Sequence, residues 1–243
     1  MGALEAAFWG FVGGVSLLIG ALVGVYAGVP RRAIAFIMAF GAGVLVSSVA
    51  FELMDEAYLT GGFDAAAIGF LSGSAVFFAA DRIVSRGGGQ RRKNPGDAQG
   101  GSATAIVIGA LLDGIPESAA IGISLLEGGG ISTALVAAVF LSNVPEGLSS
   151  ASGMKRVGRS TAHILGVWSA VTLASAVAAL IGYLFLAGAP EDLVAGIQAF
   201  AAGAILTMLA STMMPEAYEE GGDVVGVVTS LGFLLAFVLS KLE

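Results

Sequence analysis

The chain has 243 residues, 56% hydrophobic and only 12% charged, with a formal net charge of −7 at pH 7. The charged share is about half that of an ordinary soluble domain, and the mean hydropathy of +0.91 leaves too little polar surface to cover a water-soluble fold. This balance excludes a soluble enzyme, a nucleic-acid binder and a disordered chain, and predicts an all-α membrane protein; with no cysteine there is no disulfide or thiolate metal site.

Charge-poor runs predict eight spans, at 6–29, 31–54, 63–84, 103–126, 131–154, 160–188, 193–215 and 223–241. A spanning helix needs roughly 20 apolar residues, and none of these runs alternates as a barrel strand does. No basic residue precedes the first run, so it is expected to be a retained helix and not a cleaved signal. The long connection 87–101, GGGQRRKNPGDAQGG, is Gly-rich and basic, as a cytoplasmic linker would be. The whole chain, 1–243, is expected to form a single transmembrane domain.

Basic residues orient these spans. Arg31 and Arg32 follow the first span, Arg82, Arg86, Arg91, Arg92 and Lys93 close or follow the third, and Lys155, Arg156 and Arg159 follow the fifth. With eight crossings all of these fall on one side, leaving only Lys241 on the other. The positive-inside rule then places both termini outside the cytoplasm.

Residues 39–62, AFGAGVLVSSVAFELMDEAYLTGG, and 199–222, AFAAGAILTMLASTMMPEAYEEGG, match without gaps at 11 of 24 positions. The shared EAY and GG are not apolar filler, which argues against chance similarity between Ala- and Gly-rich helices. The copies lie in the second and seventh spans, so they cross in opposite directions. The first span ends ALVGVYAGVP and the sixth ALIGYLFLAGAP, which extends the repeat. The central spans mirror each other as well, with LDGIPES at 112–118 and LSNVPEG at 141–147. The expected architecture is three helices, a central pair, and three helices inverted (3+2+3), a plan typical of secondary transporters with a midplane site.

Only Asp113, Glu117 and Glu146 are carboxylates deep within the runs, all in the central pair. A charge at the bilayer centre costs about 2.5–3.5 kcal/mol on insertion scales. A purely structural polar cluster is the alternative, but no Lys, Arg or His in the deep runs is available to pair with them. Asp113 and Glu117 are four residues apart, on one helical face. Pro116 and Pro145 leave the carbonyls of Leu112 and Leu141 without their helical donors, as further oxygen ligands. A divalent cation would neutralise the acids, and Asn143 would add an amide oxygen. Ser118 and Ser142 are weaker candidates, since membrane serines usually bond to their own helix. His163, at the start of the sixth span, is expected to be a solvated end residue, and Met213 and Met214 to be packing.

These motifs, with LMDEAY in the second span and MMPEAY in the seventh, resemble the ZIP (Zrt/Irt-like) family of metal transporters over essentially the whole chain. The resemblance implies uptake of zinc and related divalent metals into the cytoplasm across the plasma (cytoplasmic) membrane, without a catalytic step or resident cofactor, and the all-oxygen donor set adds manganese or iron beside zinc. It implies a site of Asp113, Glu117, Asn143 and Glu146 between the fourth and fifth helices. The repeat, for its part, puts matched acids at opposite mouths: Glu52, Asp55 and Glu56 are expected to gather cations outside and Glu216, Glu219, Glu220 and Asp223 to serve the cytoplasmic exit, with ordinary solvated helix ends as the alternative; Ser142 and Thr212 are further pathway candidates. The chain departs from the family pattern in having Asp113 in place of histidine and Gly114 in place of asparagine, and no acid in the sixth span, so one metal is expected rather than two. The expected partners are the lipid bilayer and the metal substrate, with no nucleic acid and a homodimer left open. Two other classes compete: an intramembrane metal-dependent enzyme and a proton-coupled carrier of another small solute.

Overall fold

The computed structural model describes residues 2–84, 103–126 and 131–242, without the side chains of 103–107; the connection 87–101 lies outside the described residues. These residues form helices and no strand. The helices are α1 (Gly2–Tyr26), α2 (Arg31–Ser48), α3 (Asp55–Val84), α4 (Ala103–Ser124), α5 (Thr133–Arg156), α6 (Thr161–Leu186), α7 (Glu191–Met208), α8 (Met214–Gly221) and α9 (Val224–Ser240). Wide i→i+5 turns at Val49–Met54 and Leu209–Met213 join α2 to α3 and α7 to α8.

Helix starts follow local chemistry. Pro30 and Pro190 precede α2 and α7 in extended conformation, where a missing N–H costs nothing. Ser132 Oγ accepts from the Leu135 amide at the start of α5, and Ser160 Oγ accepts from that of His163 at the start of α6. His163 itself is exposed, as expected of a helix-end residue.

Five helical runs are long and apolar enough to cross a membrane: Gly2–Tyr26, Arg31–Val84, Thr133–Arg156, Thr161–Leu186 and Glu191–Gly221. Their outer faces carry large apolar side chains in the open, including Leu4 (81% exposed), Phe63 (73%) and Phe185 (80%). Water penalises such a surface and lipid does not, so the fold is consistent with a membrane protein.

The structure departs from the expected spans in one respect. The second and third expected spans follow one another from Arg31 to Val84 with no loop between them, joined across a kink, giving seven runs among the described residues where eight separate spans are expected. Within that run Gly62 has φ 71 and ψ −175, which is not helical. Its repeat counterpart Gly222 has φ 68 and ψ −159 and ends α8. Only glycine occupies this region at low cost. Gly62→Ala and Gly222→Ala are each expected to lower stability by about 1–3 kcal/mol, measured by thermal unfolding in detergent; nothing crowds a Cβ at either position, so backbone strain alone would carry the loss.

The wide turns also recur at matching registers, 49–54 and 209–213. The two repeat copies lie antiparallel. Arg31 at the start of α2 meets Glu220 near the end of α8, while Gly61 in α3 approaches Ala195 in α7. In packing, α1, α4, α5 and α6 form one group, and α2, α3, α7 and α9 form another, linked chiefly where α2 meets α5. The main core runs through both groups, from Leu45 and Leu53 to Leu135, Val139, Ile205 and Met208.

Candidate metal centre

A polar layer lies inside this apolar core. α4 contributes Asp113, Glu117 and Ser118, and α5 contributes Ser142, Asn143 and Glu146, all at least 96% buried. Both helices stay helical through Pro116 and Pro145. The acids follow the helical period: Asp113 and Glu117 are one turn apart, and Asn143 and Glu146 are three residues apart, so each pair shares a face.

α1 and α6 complete the layer, and sequence reasoning missed them. Asn143 Nδ2 donates to the Gly13 carbonyl at 3.2 Å, which turns the amide nitrogen to α1 and leaves Oδ1 as the end suited to a cation. Ser16 Oγ donates to the same carbonyl. The single Thr172 hydroxyl proton is shared between the Gly14 carbonyl at 3.0 Å and that of Trp168 at 2.9 Å. Ser175, also buried, is the nearest group to Gly114 across α4 and α6. The signal was present as Gly13-Gly14 in the first span and hydroxyls at 172 and 175 on one face of the sixth.

The donor set is made of oxygens. Among the described residues the buried polar side chains are acids, amides and hydroxyls, with no Lys, Arg or His. Carboxylate and amide oxygens suit hard divalent cations, and they also hold zinc. Among the described residues no three Asp, Glu, His or Cys side chains are gathered closely enough to grip one ion. The physical reason is the packing: α4 and α5 touch each other only lightly, α4 packing mainly on α6 and α5 mainly on α1. The Leu141 carbonyl, released by Pro145, lies beside Gly41 of α2, where a Cβ would come within 3.2 Å. That face of α5 packs on α2.

The remaining sequence candidates fall into separate places. Ser142 Oγ donates to the Val139 carbonyl at 3.0 Å and Thr212 Oγ1 to that of Met208 at 2.7 Å, so both hydroxyls bond to their own helices. Glu52 is half-buried and accepts from Ser132 Oγ at 2.9 Å, which ties it to the start of α5. Asp55 is exposed, and Glu56 accepts from Thr60 Oγ1 at 3.3 Å. Glu56 and Thr60 line a pocket with Glu191 and Val194. At the opposite end Glu216 and Glu220 line a pocket with Arg31, Met38, Ser149 and Arg156. Glu219 and Asp223 are exposed. Tyr218 donates to Asp223 Oδ1 at 2.8 Å.

No protein-family profile matches the chain, and no curated protein matches it.

Proposed function

We propose that this chain is a divalent-cation transporter of the ZIP type, carrying zinc and, with it, manganese or iron into the cytoplasm. The observation that carries the reading is that Asp113, Glu117, Asn143 and Glu146, three carboxyls and an amide, are all buried on the two central helices of an otherwise apolar core. Closure of the α4 and α5 carboxyls onto the ion is part of the cycle in this reading.

The membrane plan follows from the same features. Taking the Gly62 break as the end of one crossing gives eight crossings in a 3+2+3 inverted arrangement. Repeat-related contacts support it. A Cβ at Gly24 would meet the Leu148 carbonyl at 2.5 Å, and one at its counterpart Gly182 the Ala119 carbonyl at 3.1 Å; residues 119 and 148 occupy matching places after the two Pro-Glu motifs. Arg31, Lys155 and Arg156 share one end of the molecule, which the positive-inside rule assigns to the cytoplasm. Both termini are then extracytoplasmic, and the host membrane is the plasma membrane.

Uptake of Zn²⁺, Mn²⁺ and Fe²⁺ into proteoliposomes tests the reading. Saturable divalent flux supports it. Proton flux without divalent flux would favour a proton-coupled carrier, and turnover of a lipid substrate with neither flux would favour an enzyme.

Selectivity follows from the donor set. The Irving–Williams order still ranks zinc above manganese at oxygen sites, but imidazole widens that gap. Wild-type protein is expected to transport Mn²⁺ beside Zn²⁺, and Asp113→His to shift competition uptake towards Zn²⁺. Strict zinc selectivity unaltered by Asp113→His would show that this position does not set the choice.

A further inference from the structure

The two end pockets are lined by repeat-related residues. Arg31, Ile34, Glu216 and Glu220 at one mouth correspond to Glu191, Val194, Glu56 and Thr60 at the other. The backbone plan is shared and the charge is not. Among the described residues, one mouth is lined by two acids and no basic residue. The other opposes Glu216 and Glu220 with Arg31 and Arg156, and there Arg31 reaches Glu220 at 3.2 Å. This ion pair joins the first turn of α2 to the last turn of α8, and so ties the two repeat copies together. Its side chains are 43% and 31% exposed, which makes it weak and sensitive to salt. Weakness suits a contact that must break in every cycle.

We propose that the Arg31–Glu220 pair is an electrostatic latch closing the mouth at the Arg31 end, and that a departing divalent cation opens it by taking Glu220 from the arginine. The exchange of charge between repeat-related positions 31 and 191 then makes one mouth attract cations and the other hold itself shut. The identity of the opening cation rests on the transport reading; the latch itself rests on the ion pair.

The cysteine-free chain gives a direct test. Met38 lines the latched mouth and is buried, so Met38→Cys in the full-length protein reports opening through its rate of labelling by a polar maleimide. Arg31→Gln and Glu220→Gln are each expected to speed labelling by about threefold to fivefold, the effect of losing one part-exposed pair. Arg31→Glu combined with Glu220→Arg should return the rate to that of Met38→Cys alone, which also shows that the altered mouth still folds. Mn²⁺ should speed labelling when the pair is present and have no effect in the Arg31→Gln background. Unchanged labelling in both single variants, or no recovery in the charge-swapped pair, would overturn the latch. An inert response to Mn²⁺ would overturn its opening by cation. Latch-dependent labelling in a protein with no divalent flux would leave the latch standing and remove the transport reading.

Discussion

Glu117→Ala and Glu146→Ala are each expected to cut saturable divalent uptake by about 100-fold or more, since outer-shell partners alone account for 10–100-fold at metal sites. The sign of the accompanying stability change separates a transport role from a structural one. Glu117 is 1% exposed and Glu146 4%, and burying an ionised carboxyl without a bound cation is costly. Glu117→Ala is therefore expected to unfold in metal-free detergent at a temperature equal to or above that of the parent, while its stabilisation by added Mn²⁺ or Zn²⁺ disappears. Side chains that merely glue α4 to its neighbours would behave oppositely, with stability falling and uptake only scaled down. Glu117→Gln keeps the volume and removes the charge, so it should resemble the alanine variant in transport.

The second large effect concerns the fit of α5 against α1. A Cβ at Gly147 would lie 2.1 Å from the Leu17 carbonyl oxygen, and one at Gly20 would lie 2.0 Å from that of Val144. Backbone meets backbone here, so no rotamer can relieve a clash. Gly147→Ala is expected to destabilise by about 1–3 kcal/mol, as overpacking does, and to reduce uptake because Glu146 is the adjoining residue. Gly114 offers the contrast within the same layer. A Cβ there would meet only Ser175 Oγ, at 3.8 Å, and alanine is favoured over glycine inside a helix by roughly 1 kcal/mol. Thermal unfolding of the two variants side by side is the check: Gly114→Ala should be as stable as the parent or more so, and Gly147→Ala clearly less. Equal stabilities would mean that α1 and α5 are looser than their backbone spacing indicates.

Much of this layout was legible before any coordinates. Apolar runs mark helices because lipid-facing and buried positions are both apolar, and most observed helices begin and end within a few residues of those runs, although α3 begins at Asp55, well before the run at 63–84, and α8 carries on to Gly221, past the run that ends at 215. The repeat was visible through EAY and GG, and its second glycine proved to be the chain break in both copies. The acids of the central pair were visible because charge is rare in such sequences. Other features were hidden for a physical reason. Wide turns at 49–54 and 209–213 depend on neighbouring helices, and VAFELM and LASTM carry no helix-breaking residue to announce them. The hydrogen bonds that bring α1 and α6 into the layer run between Gly13 and Asn143 and between Gly14 and Thr172. Contacts across 130 and 158 residues leave no local periodicity to detect.

The paired wide turns also bear on the order of events in the history of the chain. A wide turn amounts to one residue inserted into a regular helix, and it persists only where a benefit offsets its poorer hydrogen bonding. Two such insertions at matching registers in antiparallel copies are most simply one insertion, made once and then duplicated. On that account the ancestral unit already had its irregular helix and its terminal glycine before it was duplicated. The arginine at 31 and the glutamate at 191 would then be later acquisitions, since the copies share their backbone there and differ in charge.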